Sequence, residues 1–208
     1  MGGFQGFITE ILANRSTVGA IAPSTPMLAK AITKPARDSI GHRRWLEVGP
    51  GTGVFTRRLI GALHEGDHLD VVELNSRFCK HLRKSVLPVS GSQVTLHEGS
   101  IEEVNLQGGY DGIVCGLPYN IFPTHVSRSI IRRLVSMLKE DGTLSFFEYA
   151  AIRNLRQVVG NKDMKRVSRW HARFVERLQD DMDSSRELVL MNLPPAWAVH
   201  LSPKKSMS

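Results

Sequence analysis

Residues 45–53, Trp45-Leu-Glu-Val-Gly-Pro-Gly-Thr-Gly53, decide the fold. Trp45–Val48 is a short apolar run of strand character, and Val54–Leu63 beyond it is helical. Between them, Gly49, Gly51 and Gly53 let the backbone turn sharply and pass close to a ligand. The spacing is G-x-G-x-G, not the G-x-G-x-x-G of nicotinamide-binding folds. No Gly-Lys-Ser/Thr follows, which excludes a phosphate-cradling P-loop. Glu47 stands two residues before the first glycine, where a carboxylate suits a cationic ligand. It can meet an ammonium directly or through water.

Working outward, acidic and polar residues fall at the ends of the next strands. Glu73 ends Asp70-Val-Val-Glu73, twenty residues past Gly53. A carboxylate there can accept both ribose hydroxyls, the geometry that dinucleotide folds use. The third strand ends Leu96-His-Glu-Gly-Ser-Ile101, where polar Ser100 and apolar Ile101 can bracket an adenine. In this order, on successive strands, the residues point to an adenosyl ligand.

Strands are expected near Trp45–Val48, Leu69–Leu74, Val94–His97, Gly112–Cys115 and Thr143–Tyr149. Helices are expected at about Val54–Leu63, Ser76–Val86 and Thr124–Leu138. Strands alternating with helices imply a parallel sheet and a ligand crevice at the strands' carboxyl ends. Glu187–Met191 and Ala196–Leu201, joined by Asn192-Leu-Pro-Pro195, read as an antiparallel edge hairpin. Residues 1–42 carry helical patterns instead. Phe4, Phe7, Ile8, Ile11 and Leu12 form one apolar face. A second helix starts at Pro26 with Thr25 as its N-cap, and Pro35 stops it. Gly19–Ser24 between the two is a small-residue loop. The expected units are the N-terminal helices, 1–42, and the main domain, 43–208, with a basic helical insertion at about 150–182.

Composition bounds the class. The chain has 208 residues, 41% of them apolar and 23% charged, which suits one globular domain with a core. No apolar run approaches the roughly 20 residues that span a bilayer, and MGGFQGF lacks the features of a secretory signal. Cys79 and Cys115 make no disulfide framework, and no His/Cys constellation suggests a metal. His125 and His171 lie in helical stretches and read as structural. Cys115 reads as a buried strand residue rather than a nucleophile. The expected location is cytoplasmic. The net charge is +7 with a pI near 9.7, which points to an acidic partner, either nucleic acid or an anionic membrane. Residues 150–178 hold eight Lys and Arg against two acids, so most of the excess is local.

With these motifs, Trp45–Tyr149 resembles a class I S-adenosylmethionine-dependent methyltransferase, whose glycine motif is E/D-x-G-x-G-x-G. The resemblance implies a Rossmann-like, mostly parallel seven-stranded sheet ending in the antiparallel hairpin. It implies that Gly49–Gly53 wrap the methionine part of the cofactor, Glu73 holds the ribose, and Ser100 with Ile101 flank the adenine. That family often carries Asp where this chain has Ser100. Glu47 and Gly116 join the expected cofactor-binding set, and S-adenosylhomocysteine is the implied product.

The fourth strand ends Cys115-Gly-Leu-Pro-Tyr-Asn-Ile-Phe-Pro123, where the acceptor should meet the methyl group. Leu117-Pro-Tyr-Asn-Ile121 resembles the ribosomal RNA dimethyladenosine transferases. Those adenine N6-methyltransferases lead the motif with Asn or Asp, which accepts a hydrogen bond from the exocyclic amine, and stack the aromatic ring on the base. This chain has Gly116 at the leading position and no room for a separate RNA-binding domain. Nucleic acid is therefore the alternative and not the expected partner. From end to end the chain resembles the bacterial phospholipid and ornithine-lipid N-methyltransferases. The matching pieces are the N-terminal amphipathic helix, Val18–Thr25, Leu46–Gly53, Val72–Asn75 with Phe78-Cys79, Gly116–Pro118 with Phe122-Pro123, and Asn192–Ala196.

An amino lipid stays in its membrane, so such an enzyme docks there, peripherally and at the inner face. The face of Phe4, Phe7, Ile8 and Ile11 suits the headgroup region. It equally suits packing on the domain as a lid over the cofactor. Near Met164–Leu178, steps of 100° gather Lys165, Arg166, Arg169 and Arg173 on one side of a helix. A basic face of this kind attracts anionic lipid, and the same residues would track RNA phosphates.

Methyl transfer to an amine is an in-line displacement that needs a neutral nitrogen, although an alkylammonium loses its proton only near pKa ~10. Holding the nucleophile in line supplies much of the acceleration. Tyr119 is the first candidate to contact the amine, since its ring face also attracts methylated ammonium. The Gly116 and Leu117 carbonyls can receive the amine's hydrogens. Asn120, Glu148 and Tyr149 are the next candidates.

Overall fold

The structure, a computed structural model, describes residues 24–38, 41–89, 93–117, 122, 124–150 and 182–204. The helix expected at Phe4–Leu12, most of the Gly19–Ser24 loop, Tyr119, Asn120 and the basic stretch with Lys165, Arg166, Arg169 and Arg173 lie outside the described residues.

Seven strands form one sheet: β1 (Arg44–Val48), β2 (His68–Glu73), β3 (Val94–Glu98), β4 (Tyr110–Cys115), β5 (Leu138–Tyr149), β6 (Met182–Val189) and β7 (Ala196–Pro203). Their order is β3-β2-β1-β4-β5-β7-β6. The first five run parallel. β7 runs antiparallel to both its neighbours, so β6 and β7 are the expected hairpin with β6 at the edge. This is the Rossmann-like architecture expected from the sequence.

Strand side chains alternate between two cores. Leu46, Val48, Ile113, Cys115, Phe146 and Val199 face one layer, closed by Ile130, Ile131 and Leu134 of α5 (Thr124–Ser136). Trp45, Leu69, Val71, Val114, Phe147 and Ala198 face the other. That layer is covered by Leu28 and Ile32 of α1 (Pro26–Ile32) and by Phe55 and Leu59 of α3 (Val54–Ile60). The helix expected at Pro26 is thus part of the main core. Thr25 caps it as expected, its hydroxyl accepting from the Leu28 N–H at 3.3 Å. This helix ends at Ile32, ahead of Pro35, as expected. Pro35 sits in the first turn of the separate short α2 (Lys34–Arg37), where its missing N–H costs nothing. α4 (Ser76–Ser85) packs against β2 and β3.

Two strand bounds shift. β5 begins at Leu138, five residues before the expected Thr143, because Lys139, Glu140 and Asp141 are strand residues without a fully buried face. β6 spans Met182–Val189 where Glu187–Met191 was expected. His125 lies on α5, in a helix as expected, and is exposed; His171 lies outside the described residues.

Opposite the crevice, carboxylates tie the amino ends of the strands together. Asp111 accepts from Lys139 Nζ at 2.9 Å, from Arg43 at 2.9 Å and from the Arg44 backbone N–H at 2.8 Å. Asp70 is bonded to His97 Nε2 at 2.7 Å and accepts from the Tyr110 hydroxyl at 2.9 Å.

Candidate cofactor and acceptor site

The glycine loop follows β1 with positive φ at all three glycines: 71° at Gly49, 57° at Gly51 and 81° at Gly53. Only glycine adopts these angles without strain. At Gly49 space matters as well, because a Cβ there would lie 2.4 Å from Leu117 Cδ2. The loop therefore lies close against the end of β4. Gly53 then caps α3 in the left-handed conformation.

Glu73 binds the loop from the neighbouring strand. Its Oε2 accepts the Gly51 N–H at 3.1 Å and its Oε1 accepts the Asn75 N–H at 2.8 Å. The Gly99 N–H donates to the Glu73 carbonyl at 2.9 Å, which draws in the end of β3. Ser100 is buried and its Oγ accepts the Glu102 N–H at 3.3 Å, starting the turn that carries Ile101.

These strand ends enclose a cleft of about 340 Å³, part of it open to solvent. Among the sequence candidates, Gly49, Glu73, Ser100 and Ile101 line it. Leu117, expected through its carbonyl, lines it too, as do Leu74 and Ile130, which sequence reasoning missed as cleft residues. Leu74 has one signal, its place beside Glu73, and Ile130 has none, since apolar cleft residues look like core residues in a sequence.

Glu47 lies behind the loop, fully buried and close to Thr56 of α3, and among the described residues its carboxylate oxygens have no hydrogen-bond partner of good geometry. Burial pushes its pKa up to about 8, with the Glu73 charge adding to the rise and nearby Thr56 opposing it. Burial is costly for the charged form, and the raised pKa keeps this carboxyl largely protonated at neutral pH. Glu47 does not line the cleft; it lies behind the loop that does.

Gly116 packs against the loop. Its N–H donates to the Val48 carbonyl at 2.8 Å, and a Cβ on it would lie 2.5 Å from the Gly49 carbonyl oxygen. Glu148 stands near the carboxyl end of β5, paired with Trp197 of β7, and is not among the residues lining the cleft. It is ion-paired with Arg186 at 3.4 Å, and the Arg186 guanidinium stacks over Trp197. Tyr149 is buried in the core beside Phe147. Cys115 is buried and its thiol is pushed up to about 12, consistent with a strand residue and not a nucleophile.

Residues 46–142 match the family described as a methyltransferase domain. Over 147 residues the chain is 26% identical to an ornithine lipid N-methyltransferase of Singulisphaera acidiphila, covering 67% of this chain and 74% of that one. A shorter stretch of 76 residues is 37% identical to the ribosomal RNA small subunit methyltransferase G of Methylorubrum populi, covering 35% of each. Among solved structures, the chain resembles an O-methyltransferase of Streptomyces achromogenes involved in tomaymycin synthesis and solved with S-adenosylmethionine. The TM-score is 0.60 at 14% identity, covering 97% of this chain and 100% of that one.

Proposed function

We propose that this protein, a class I S-adenosylmethionine-dependent methyltransferase, methylates the amine of an amino lipid headgroup at a membrane surface. The observation that carries the reading is Gly116. An adenine N6-methyltransferase needs an Asn or Asp side chain there, and here any Cβ would meet the Gly49 carbonyl oxygen at 2.5 Å. The similarity to an ornithine lipid N-methyltransferase supports the same acceptor. Phosphatidylethanolamine and ornithine lipid both offer the required primary amine.

Bound in the cleft, S-adenosylmethionine supplies an electrophilic methyl carbon on a sulfonium and leaves as S-adenosylhomocysteine. Glu47 would meet the methionine ammonium, directly or through water, on losing its proton. Glu73, which ends β2 and lines the cleft, takes the ribose hydroxyls. Ile101 and Leu117 close on the adenosyl group, and Ser100 offers a polar edge. Tyr119, three residues past Gly116 in the sequence, is the candidate to contact the acceptor nitrogen, by its ring face, its hydroxyl or both. The Gly116 and Leu117 carbonyls hold that nitrogen's hydrogens and fix its lone pair in line with the methyl group. Membrane contact falls to Phe4, Phe7, Ile8 and Ile11 and to Lys165, Arg166, Arg169 and Arg173.

The test is to supply methyl-labelled S-adenosylmethionine with anionic vesicles containing phosphatidylethanolamine or ornithine lipid, and separately with structured RNA. Label is expected in the lipid. Label confined to RNA overturns the reading.

A further inference from the structure

The turn joining β6 and β7 inverts the usual order of burial. At its apex Asn192 is 2% exposed, whereas Leu190, Met191 and Leu193 are 69%, 73% and 74% exposed. Leu188 and Met27 add 40% and 50% exposure nearby. Scattered exposed apolar residues are ordinary, but several large ones on one projecting turn mark an interaction surface.

Asn192 fixes this arrangement. Its Oδ1 accepts the Thr25 N–H at 3.1 Å and its Nδ2 donates to the Pro194 carbonyl at 2.7 Å. The polar side chain points inward and the apolar ones are left outside. From Leu188 to Val199 the sequence holds no charged residue.

The position of the turn in the sheet indicates what covers it. Ala196 pairs with Tyr149 on one side and Val189 on the other, so the turn lies at the carboxyl ends of the parallel strands. The cofactor cleft opens at that same end. Two further connections converge there. Thr25, held by Asn192, follows the amphipathic sequence of residues 4–12. Ala150, whose N–H donates to the Pro195 carbonyl at 2.8 Å, leads into the segment with eight Lys and Arg against two acids. An uncharged, apolar projection, bonded to the residue from which a basic segment departs, is complementary to an anionic lipid surface.

We infer that the β6–β7 turn inserts Leu190, Met191 and Leu193 into the apolar layer of a lipid surface and so presents the cleft to it. The inference rests on the proposed lipid acceptor and adds a membrane-contact site that the sequence did not suggest. Because it concerns docking and not turnover, its test needs no methyl transfer.

Cys79 and Cys115 are both buried, so Met191→Cys offers an accessible thiol for an environment-sensitive fluorophore. Anionic vesicles should shift its emission to the blue, and nitroxide-labelled acyl chains should quench it. The triple change Leu190→Asp, Met191→Asp and Leu193→Asp should lower vesicle partitioning by roughly tenfold or more, with cofactor affinity retained. Emission unchanged by vesicles overturns the inference. So does a shift that appears with protein concentration alone, which would assign the turn to a second copy of the chain. If the turn enters vesicles but no lipid gains a methyl group, docking stands and the acceptor falls. If lipid is methylated while the turn stays silent, only the docking site falls.

Discussion

Glu73 Oε2 accepts the backbone N–H of Gly51 at 3.1 Å, so the carboxylate ending β2 holds the loop that follows β1. Sequence reasoning gave Glu73 one task, the ribose. The structure adds a second, which is setting the loop's shape before any ligand arrives. Hydrogen bonds to a charged group contribute about 1.5–3 kcal/mol each. In Glu73→Gln one side-chain oxygen can serve one of the two backbone donors, and the amide nitrogen faces the other N–H. Cofactor affinity is therefore expected to fall roughly 10- to 100-fold, measured by titration calorimetry. Unchanged affinity would remove Glu73 from both tasks.

Glu47 gives a pH signature. Its folded pKa is about 8 against an ordinary value of 4.5. Between these values the folded state holds a proton that the unfolded state has lost, so stability falls as pH rises through that window. The slope from this group is roughly 1.4 kcal/mol per pH unit. A ligand ammonium reverses the preference and expels the proton. At pH 7, cofactor binding should release close to one proton, read by calorimetry in buffers of different ionisation enthalpy. Glu47→Gln should abolish the release.

What the sequence disclosed follows from what was buried. β1, β2 and β4 are buried on both faces and carry short apolar runs, Trp45-Leu46, Val71-Val72 and Ile113–Cys115, and they were legible. β6 was misplaced because the six residues between Met182 and Val189 are exposed, leaving no alternation to read. The glycine loop and its acidic partners were legible because backbone angles and charge restrict residue type. The lining role of Leu74 and Ile130 was not, since an apolar side chain in a cleft carries the same code as one in a core. The ion pair of Glu148 with Arg186 was invisible in one dimension, because the two residues are 38 apart.

The acid side of the stability curve should have the opposite sign. Burial alone would raise Asp111, but the Arg44 backbone N–H, Lys139 and Arg43 outweigh it and hold its pKa below the ordinary 3.8. Asp70 is likewise raised by burial, yet held low overall by His97 and Tyr110. Their contributions are present above the ordinary carboxylate range and lost as pH falls below about 4 through the depressed values. Asp111→Ala leaves Lys139 and the Arg44 N–H without this partner. It should cost about 2–3 kcal/mol at pH 7, and less at pH 3, in denaturant unfolding followed by circular dichroism.

Gly116 decides between acceptors, and substitution there tests the decision. Asn restores the side chain that adenine methylation uses, but its Cβ must occupy space 2.5 Å from the Gly49 carbonyl oxygen, a backbone atom that cannot swing aside. Relief requires β1 and β4 to separate at the cleft, which strains the 2.8 Å bond from the Gly116 N–H to the Val48 carbonyl. Overpacking costs about 1–3 kcal/mol, so Gly116→Asn should lower the unfolding temperature by roughly 2–12 °C. Gly49 carries the glycine loop, so cofactor affinity should fall with it. Gly116→Ala should show the same losses, which separates the clash from the chemistry of the amide. Neither variant should transfer label to RNA. A Gly116→Asn protein that binds cofactor normally and methylates adenine in RNA would return the chain to the nucleic-acid class.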